Sequence, residues 1–289
     1  MQNPVTIDGV TLDQDWITPR DTARVHLLPA FASPVCVVIV RRRSKWFHLL
    51  KWDLRSNRLT HGSWFRGTIY SKRCDVSWDG KWMVYLAMGS DGRKTWNGLC
   101  RPPWLKTALD CPNVGTWAGG GVFTGDRQLE ANTHWHSDDD LAQAGTSPNG
   151  LRITRLDSGG EDFPVLYKRF ERDGWKRRGD NYGQDKKLKS IRNKFNIANM
   201  KDDGWVCQPT RKHPQLFAWY RGYFERGYTF EFQLDTHPDL LQGTEWACWS
   251  SKGDLLAVDD GILKRYTRQD LQSGTPSFCE DLNMLTPPE

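Results

Sequence analysis

Few residues in this chain have the types and spacing that chemistry demands. His134 and His136 flank Trp135, and Asp138 follows in the acidic run Ser137-Asp138-Asp139-Asp140. On a strand the two imidazoles share a face, because side chains alternate with a period of two. Two imidazoles and a carboxylate can hold a divalent ion, and an ion of that kind can activate water for a hydrolase or lyase. A plainer reading of the same stretch is a strand that runs out into an acidic loop. The triplet Gly119-Gly120-Gly121 lacks the Lys-Ser/Thr ending and the following helix of a phosphate loop, so it reads as a close approach of two backbones near a sheet centre. The seven cysteines show no Cys-x-x-Cys spacing and read as reduced thiols without a zinc site. No Gly-x-Ser-x-Gly or His-Glu-x-x-His motif occurs. The residues therefore predict no enzyme, no cofactor and no metal.

Charge gives a second kind of chemistry. Residues 168–194 hold eleven Lys/Arg against four Asp/Glu, an excess of +7 in a chain of net charge +5, which leaves 5 − 7 = −2 elsewhere. Leu188, Ile191, Phe195 and Ala198 fall at i, i+3, i+7 and i+10, a helix face, while Lys186, Lys187, Lys189, Arg192 and Lys194 lie elsewhere on that helix. With Arg172, Lys176, Arg177 and Arg178 upstream, this segment could steer an acidic protein partner. Interleaved with Phe170, Trp175, Tyr182 and Phe195, the same cations could pair phosphates and stack bases. Arg41-Arg42-Arg43 reads as a solvated strand end. Trp is abundant, at 15 of 289 residues, and Trp104, Trp135 and Trp175 in expected loops or strand ends are the candidates for partner contact.

The elements that must position these residues read as β. Aromatic richness suits half-buried pleated surfaces, and 41 Gly and Pro spread along the chain suit many turns. Val35-Cys36-Val37-Val38-Ile39-Val40 is the clearest buried strand. Between Cys74 and Tyr85, an Asp79-Gly80 turn separates two apolar runs, the strongest short-range hairpin signal. Lys106–Leu109 reads as an outer strand or one helical turn, and Phe163–Tyr167 as a strand. Gln272–Glu289 reads as a loosely held tail. No run of 18 apolar residues and no basic-then-apolar start is present, so the expectation is a cytoplasmic protein without membrane contact.

Hairpin-like units begin near 30, 74, 117, 163, 207 and 246, at intervals of 44, 43, 46, 44 and 39 residues. A period of 40–50 residues with several strands per unit predicts β-propeller blades. Ser77-Trp78-Asp79-Gly80-Lys81-Trp82 resembles the Ser-Pro-Asp-Gly-Lys turn of TolB-like and WD40-like propellers, with Trp in place of Pro. Ser250-Ser251-Lys252-Gly253-Asp254 is a looser copy. Arg101-Pro102-Pro103-Trp104 and Gly119–Phe123 are similar to segments of uncharacterised bacterial proteins. The expectation is a single all-β domain over 1–289. It is a β-propeller of six blades, five or seven being the neighbouring counts, with a basic insertion at 168–200 that is helical near 175–200. The expected role is a non-enzymatic protein–protein scaffold within a larger bacterial assembly, such as a signalling or defence complex. Nucleic-acid binding through 168–194 and a metal-dependent hydrolase are the alternatives.

Overall fold

The computed structural model describes residues 5–7, 10–12, 22–113, 115–132, 150–156, 161–178, 204–224 and 227–288. A short hairpin, β1 (Val5–Ile7) and β2 (Val10–Leu12), precedes an antiparallel meander of β3 (Arg24–Pro29), β4 (Val35–Arg41), β5 (Trp46–Asp53) and β6 (Arg58–Ile69). A second meander holds β7 (Asp75–Val76), β8 (Met83–Gly89), β9 (Thr95–Arg101) and β10 (Trp104–Asn113). The end of β6 pairs with the end of β8 at Gly67–Ile69, which joins the two into one eight-stranded sheet. Residues 106–109 are thus strand.

Three smaller sheets follow. β11 (Gly121–Gly125) and β12 (Gln128–Ala131) are antiparallel, and β13 (Arg152–Arg155) joins them parallel to β12. β14 (Lys176–Arg178), β15 (Gly204–Cys207), β16 (Leu216–Phe224) and β17 (Gly227–Leu234) form one four-stranded sheet. β18 (Trp246–Trp249), β19 (Leu255–Asp259), β20 (Ile262–Tyr266) and β21 (Phe278–Asp281) form the last. The chain is mostly β, as its composition predicts.

Two turns explain why sequence alone locates part of this. Ser77 lies wholly buried between β7 and β8, and its hydroxyl accepts from the amides of Lys81 at 3.1 Å and Trp82 at 2.9 Å. It donates to Asp79 Oδ1, and Gly80 supplies the positive φ of 72°. Between β18 and β19, Ser250 likewise accepts from the amides of Lys252 and Asp254, and Gly253 has φ of 82°. The two similar sequences therefore build similar turns at equivalent places in two sheets.

The first three sheets pack one on the next, and the last two pack on the first. Along β4, Cys36, Val38 and Val40 point toward the last two sheets, while Val37 and Ile39 point toward the second meander. Burial on both faces is why this run is continuously apolar rather than alternating. Trp82, Val84 and Leu99 of the second meander pack on Phe123 and Leu129 of the third sheet. The last sheet closes on the first: Arg265 donates to Asn57 Oδ1 at 2.6 Å, Ser251 Oγ to Ser33 O at 2.8 Å, and the Ala23 amide to Asn283 Oδ1 at 2.7 Å.

Three expectations are corrected. Phe163–Tyr167 is not a strand but the start of helix α1 (Phe163–Arg172), with Pro164 in its first turn. Val165, Leu166, Arg169 and Phe170 are its buried face, a spacing of period 3.6 that only emerges when the reading extends past Tyr167. The units expected near 163 and 207 consequently fall on this helix and inside one four-stranded sheet. The tail is not loose, because Phe278–Asp281 is the outer strand of the last sheet and Leu282 is buried beneath it. Within the expected helical insertion near 175–200, residues 176–178 are strand β14, and 179–200 lie outside the described residues.

Candidate functional site

Helix α1 adds Leu166 and Phe170 to the core shared by the first and the last two sheets, and Val165 to a cluster with Val122 of the third. Its Arg169 is buried, and its guanidinium donates to the Cys74 carbonyl at 2.6 Å and, through Nη2, to His26 Nε2 at 3.1 Å. Arg has no acceptor, so Nε2 of His26 must accept and its proton sits on Nδ1. The His26 ring lies 4.2 Å from that of Trp246. Burial first, then the positive charges of Arg169 and Lys72, hold the His26 pKa well below its ordinary value, so the ring is neutral.

Beside this centre opens a cleft of about 230 Å³. Arg24 and His26 of β3, Arg41 of β4, Lys72 from the short turn after β6, and Thr229, Glu245 and Trp246 line it. Arg24 and Arg41 are cross-strand partners in the β3–β4 ladder. Burial lowers the Lys72 pKa to about 8, against the pull of Asp162. The cleft thus joins three cations and one carboxylate to an aromatic wall of Phe47, Phe230 and Trp246.

α1 is held in place by buried ion pairs. Arg172 binds the Asp75 carboxylate of β7 and, at 2.8 Å, Asp173, and its side chain is 8% exposed. Burial works against its charge, but Asp75 and Asp173 outweigh this and hold the guanidinium more firmly protonated than usual. Arg73 reaches Asp162 at 2.6 Å. The glycine triplet serves this packing: a Cβ on Gly120 would lie 1.9 Å from the Arg73 carbonyl oxygen.

These contacts correct two expected partner residues. Arg172 belongs to the interior. So does Trp175, which is 5% exposed and stacks on Phe170 at 5.0 Å, because the chain turns inward after α1 to start β14. Lys176 is exposed, and Arg177 lies over Tyr167 at 5.6 Å. Arg178 belongs to β14. Trp104, 55% exposed at the start of β10, stands on the surface as expected. Trp135, Lys186, Lys187, Lys189 and Arg192 lie outside the described residues, as do His134, His136 and Asp138. Among the described residues no group of three or more His, Cys, Asp or Glu is placed to hold a metal, and no helix is long and apolar enough to cross a membrane.

A surface that charge density passes over lies on the first meander. Residues 41–66 hold eight Lys/Arg, none of them buried, and one acid, Asp53, an excess of +7. Trp46 and Trp64 meet edge to face at 6.3 Å, Arg66 lies 5.9 Å from the Trp46 ring, and His48 stacks on Trp64 at 4.2 Å. His48 Nε2 and His61 Nδ1 are 3.1 Å apart, and burial lowers the His48 pKa to about 4. Farther along, the start of β10 meets β6, where the Leu105 amide donates to Ser63 Oγ at 3.0 Å. Arg43 and Lys45 are exposed in the turn that leads into Trp46.

No family model matches this chain, and no curated protein matches it. Among solved structures it is similar to an uncharacterised protein of Listeria monocytogenes. That pair has 8% identity and a TM-score of 0.36, over 91% of this chain and 94% of the other. It is also similar to the β-propeller domain of the Trilobed protease of Pyrococcus furiosus. There the identity is 9% and the TM-score 0.33, over 90% and 84% of the two chains.

Proposed function

We propose that the chain is a β-propeller of five blades that acts as a non-enzymatic interaction module, one subunit of a larger assembly. Five units succeed one another: β3–β6, β7–β10, β11–β13, β14–β17 and β18–β21. The seam between the last sheet and the first supports a closed ring. The partner is a protein with an acidic surface. The single observation that carries this reading is the aromatic and cationic patch of Trp46, Trp64, Arg43, Lys45 and Arg66 in a stretch of excess +7. Exposed Trp and Arg are the residues most often found at the centre of protein interfaces, and one sign of charge steers encounter. The expected segment at 168–194 contributes less to this reading than its charge count suggests, because Arg169, Arg172 and Trp175 face inward.

The test is a nuclease-treated pull-down from the native lysate with the wild-type chain and with a triple variant, Arg43→Glu, Lys45→Glu and Arg66→Glu. A stoichiometric acidic protein that the variant fails to retain supports the reading. Equal retention by both chains sinks it. A second reading, nucleic-acid binding, is favoured by the rings of Trp64 and Trp46 beside Arg66, which resemble a stacking platform with phosphate contacts. Nucleic acid recovered only without nuclease would favour it.

A further inference from the structure

His48 of β5 and His61 of β6 face one another, with His48 Nε2 and His61 Nδ1 3.1 Å apart. A register shift in the β5–β6 ladder makes this meeting possible. His48 pairs with Trp64 and Leu50 with His61, so one extra residue sits on β6 between the two pairs. A regular ladder would send His61 and Trp64, an odd number of residues apart, to opposite faces. The bulge brings both to the face of His48. Pro103 backs the bulge: the Ser63 amide donates to its carbonyl at 3.1 Å, and a Cβ on Gly62 would lie 2.0 Å from the same oxygen.

The His48 ring is buried and fixed in place. It stacks on Trp64 at 4.2 Å, and its Nδ1 lies 3.3 Å from the Ser63 carbonyl oxygen. A carbonyl only accepts, so Nδ1 carries the ring proton and Nε2 presents its lone pair to His61. A histidine that ligates a metal is commonly oriented in this way, its second nitrogen donating to a backbone carbonyl. His61 is exposed, so its ring is free to adjust to the fixed one.

We propose that His48 Nε2 and His61 Nδ1 together bind one late first-row divalent metal ion, Cu(II) most tightly, with water in its remaining positions. Two imidazole nitrogens on one such ion stand about 2.9 Å apart in a square-planar shell and about 3.3 Å apart in a tetrahedral one. The observed 3.1 Å lies between these spacings. Without an ion, His61 Nδ1–H donates to His48 Nε2 across the same gap. With one, His61 takes its other neutral tautomer, its proton on Nε2, and no net proton is lost. The pair offers nitrogen alone, which suits Cu(II), Ni(II) and Zn(II) and not the oxygen-seeking Mg(II) or Ca(II).

The eight cations of residues 41–66 repel a dication. Salt screens charges at the surface, so the ion binds more tightly as a non-coordinating salt is added. The inference does not rest on the partner surface. Arg43, Lys45 and Arg66 ligate nothing here, so either reading can fail without the other.

The experiment titrates the full chain with Cu(II), supplied as its glycine complex, and reads binding by calorimetry and by electron paramagnetic resonance. The wild-type chain is expected to hold an ion whose spectrum shows coupling to two imidazole nitrogens. His61→Gln keeps an amide donor for His48 Nε2 but removes the second ligand. It is expected to leave the thermal midpoint in place, to lose that spectrum and to weaken binding at least tenfold. If it shifts the midpoint, His61→Ala takes its place and must show the same loss. Copper held by other histidines is common to both chains and cancels in the comparison. Equal affinity and equal spectra in the two chains overturn the proposal, as does a wild-type chain that takes up no copper.

Discussion

Arg169 donates to Nε2 of buried His26 at 3.1 Å, and this bond requires an imidazole without a second proton. The helix that carries Arg169 and the strand that carries His26 are thereby coupled to pH.

Acid should loosen the fold as its buried histidines are driven to take up protons. His26 and His48 both have pKa values lowered by burial, His48 to about 4, so the folded chain binds fewer protons than the unfolded one between pH 6.5 and 4. Stability is fully present above the unfolded value of about 6.5 and falls as pH drops, by up to about 1.4 kcal/mol per pH unit for each histidine. Thermal midpoints measured from pH 7.5 to 5 should decline steadily, and His48→Gln should flatten the slope. A midpoint independent of pH over that range would contradict the neutral assignments.

Breaking the buried pair that anchors the helix should cost far more than its surface counterparts. Arg172→Ala leaves Asp75 buried without its cation, a loss of about 3–5 kcal/mol in denaturant unfolding. Lys81→Ala, at a side chain 75% exposed beside Asp79, should change stability by less than about 1 kcal/mol. Similar costs for both would mean that Arg172 is not enclosed.

Gly120→Ala should be among the most damaging single substitutions in the chain. The added Cβ meets the Arg73 carbonyl at 1.9 Å, and φ there is 82°. Gly92→Ala has the same sign of φ with nothing within 4 Å of the added atom. It should lose only the conformational cost of about 1 kcal/mol. Chemical denaturation of the two variants compares them directly.

The thiols should divide sharply by reactivity. Cys36, Cys74, Cys100, Cys207 and Cys248 are buried with raised pKa values, those of Cys100 and Cys207 pushed up to about 12, whereas Cys279 is exposed on β21. Maleimide at neutral pH should modify Cys279 within minutes and leave those five until the chain unfolds. Peptide mapping after labelling reads the pattern, and rapid labelling of Cys36 would contradict the packing of β4.

What the sequence shows clearly is local. The Ser77–Gly80 and Ser250–Gly253 turns are legible because hydroxyl, amide and glycine lie within five residues of each other. The run Val35–Val40 is legible because both its faces are covered. Phe163–Tyr167 misleads, since five residues with a Pro and a Val fit either period. Arg172 and Trp175 mislead because a dense run of charge reads as solvent-facing, and the Asp75 that pairs with Arg172 lies 97 residues away. The excess of +7 over 41–66 is visible by counting alone, but the buried run of β5 divides it. The cleft is the least legible feature. Its walls come from residues 24 to 246, and only the closure of the last sheet on the first brings them together.

That closure bears on how the molecule comes apart. A row of sheets with two free ends can fray one unit at a time, with each unit lost at its own denaturant concentration. Here Ser251 holds Ser33, Arg265 holds Asn57, and Asn283 holds the Ala23 amide. In the closed ring proposed above, no terminal unit among the described residues is left to peel away, so rupture of this seam would expose core on both sides at once. Such a ring is expected to lose its structure in a single concerted transition.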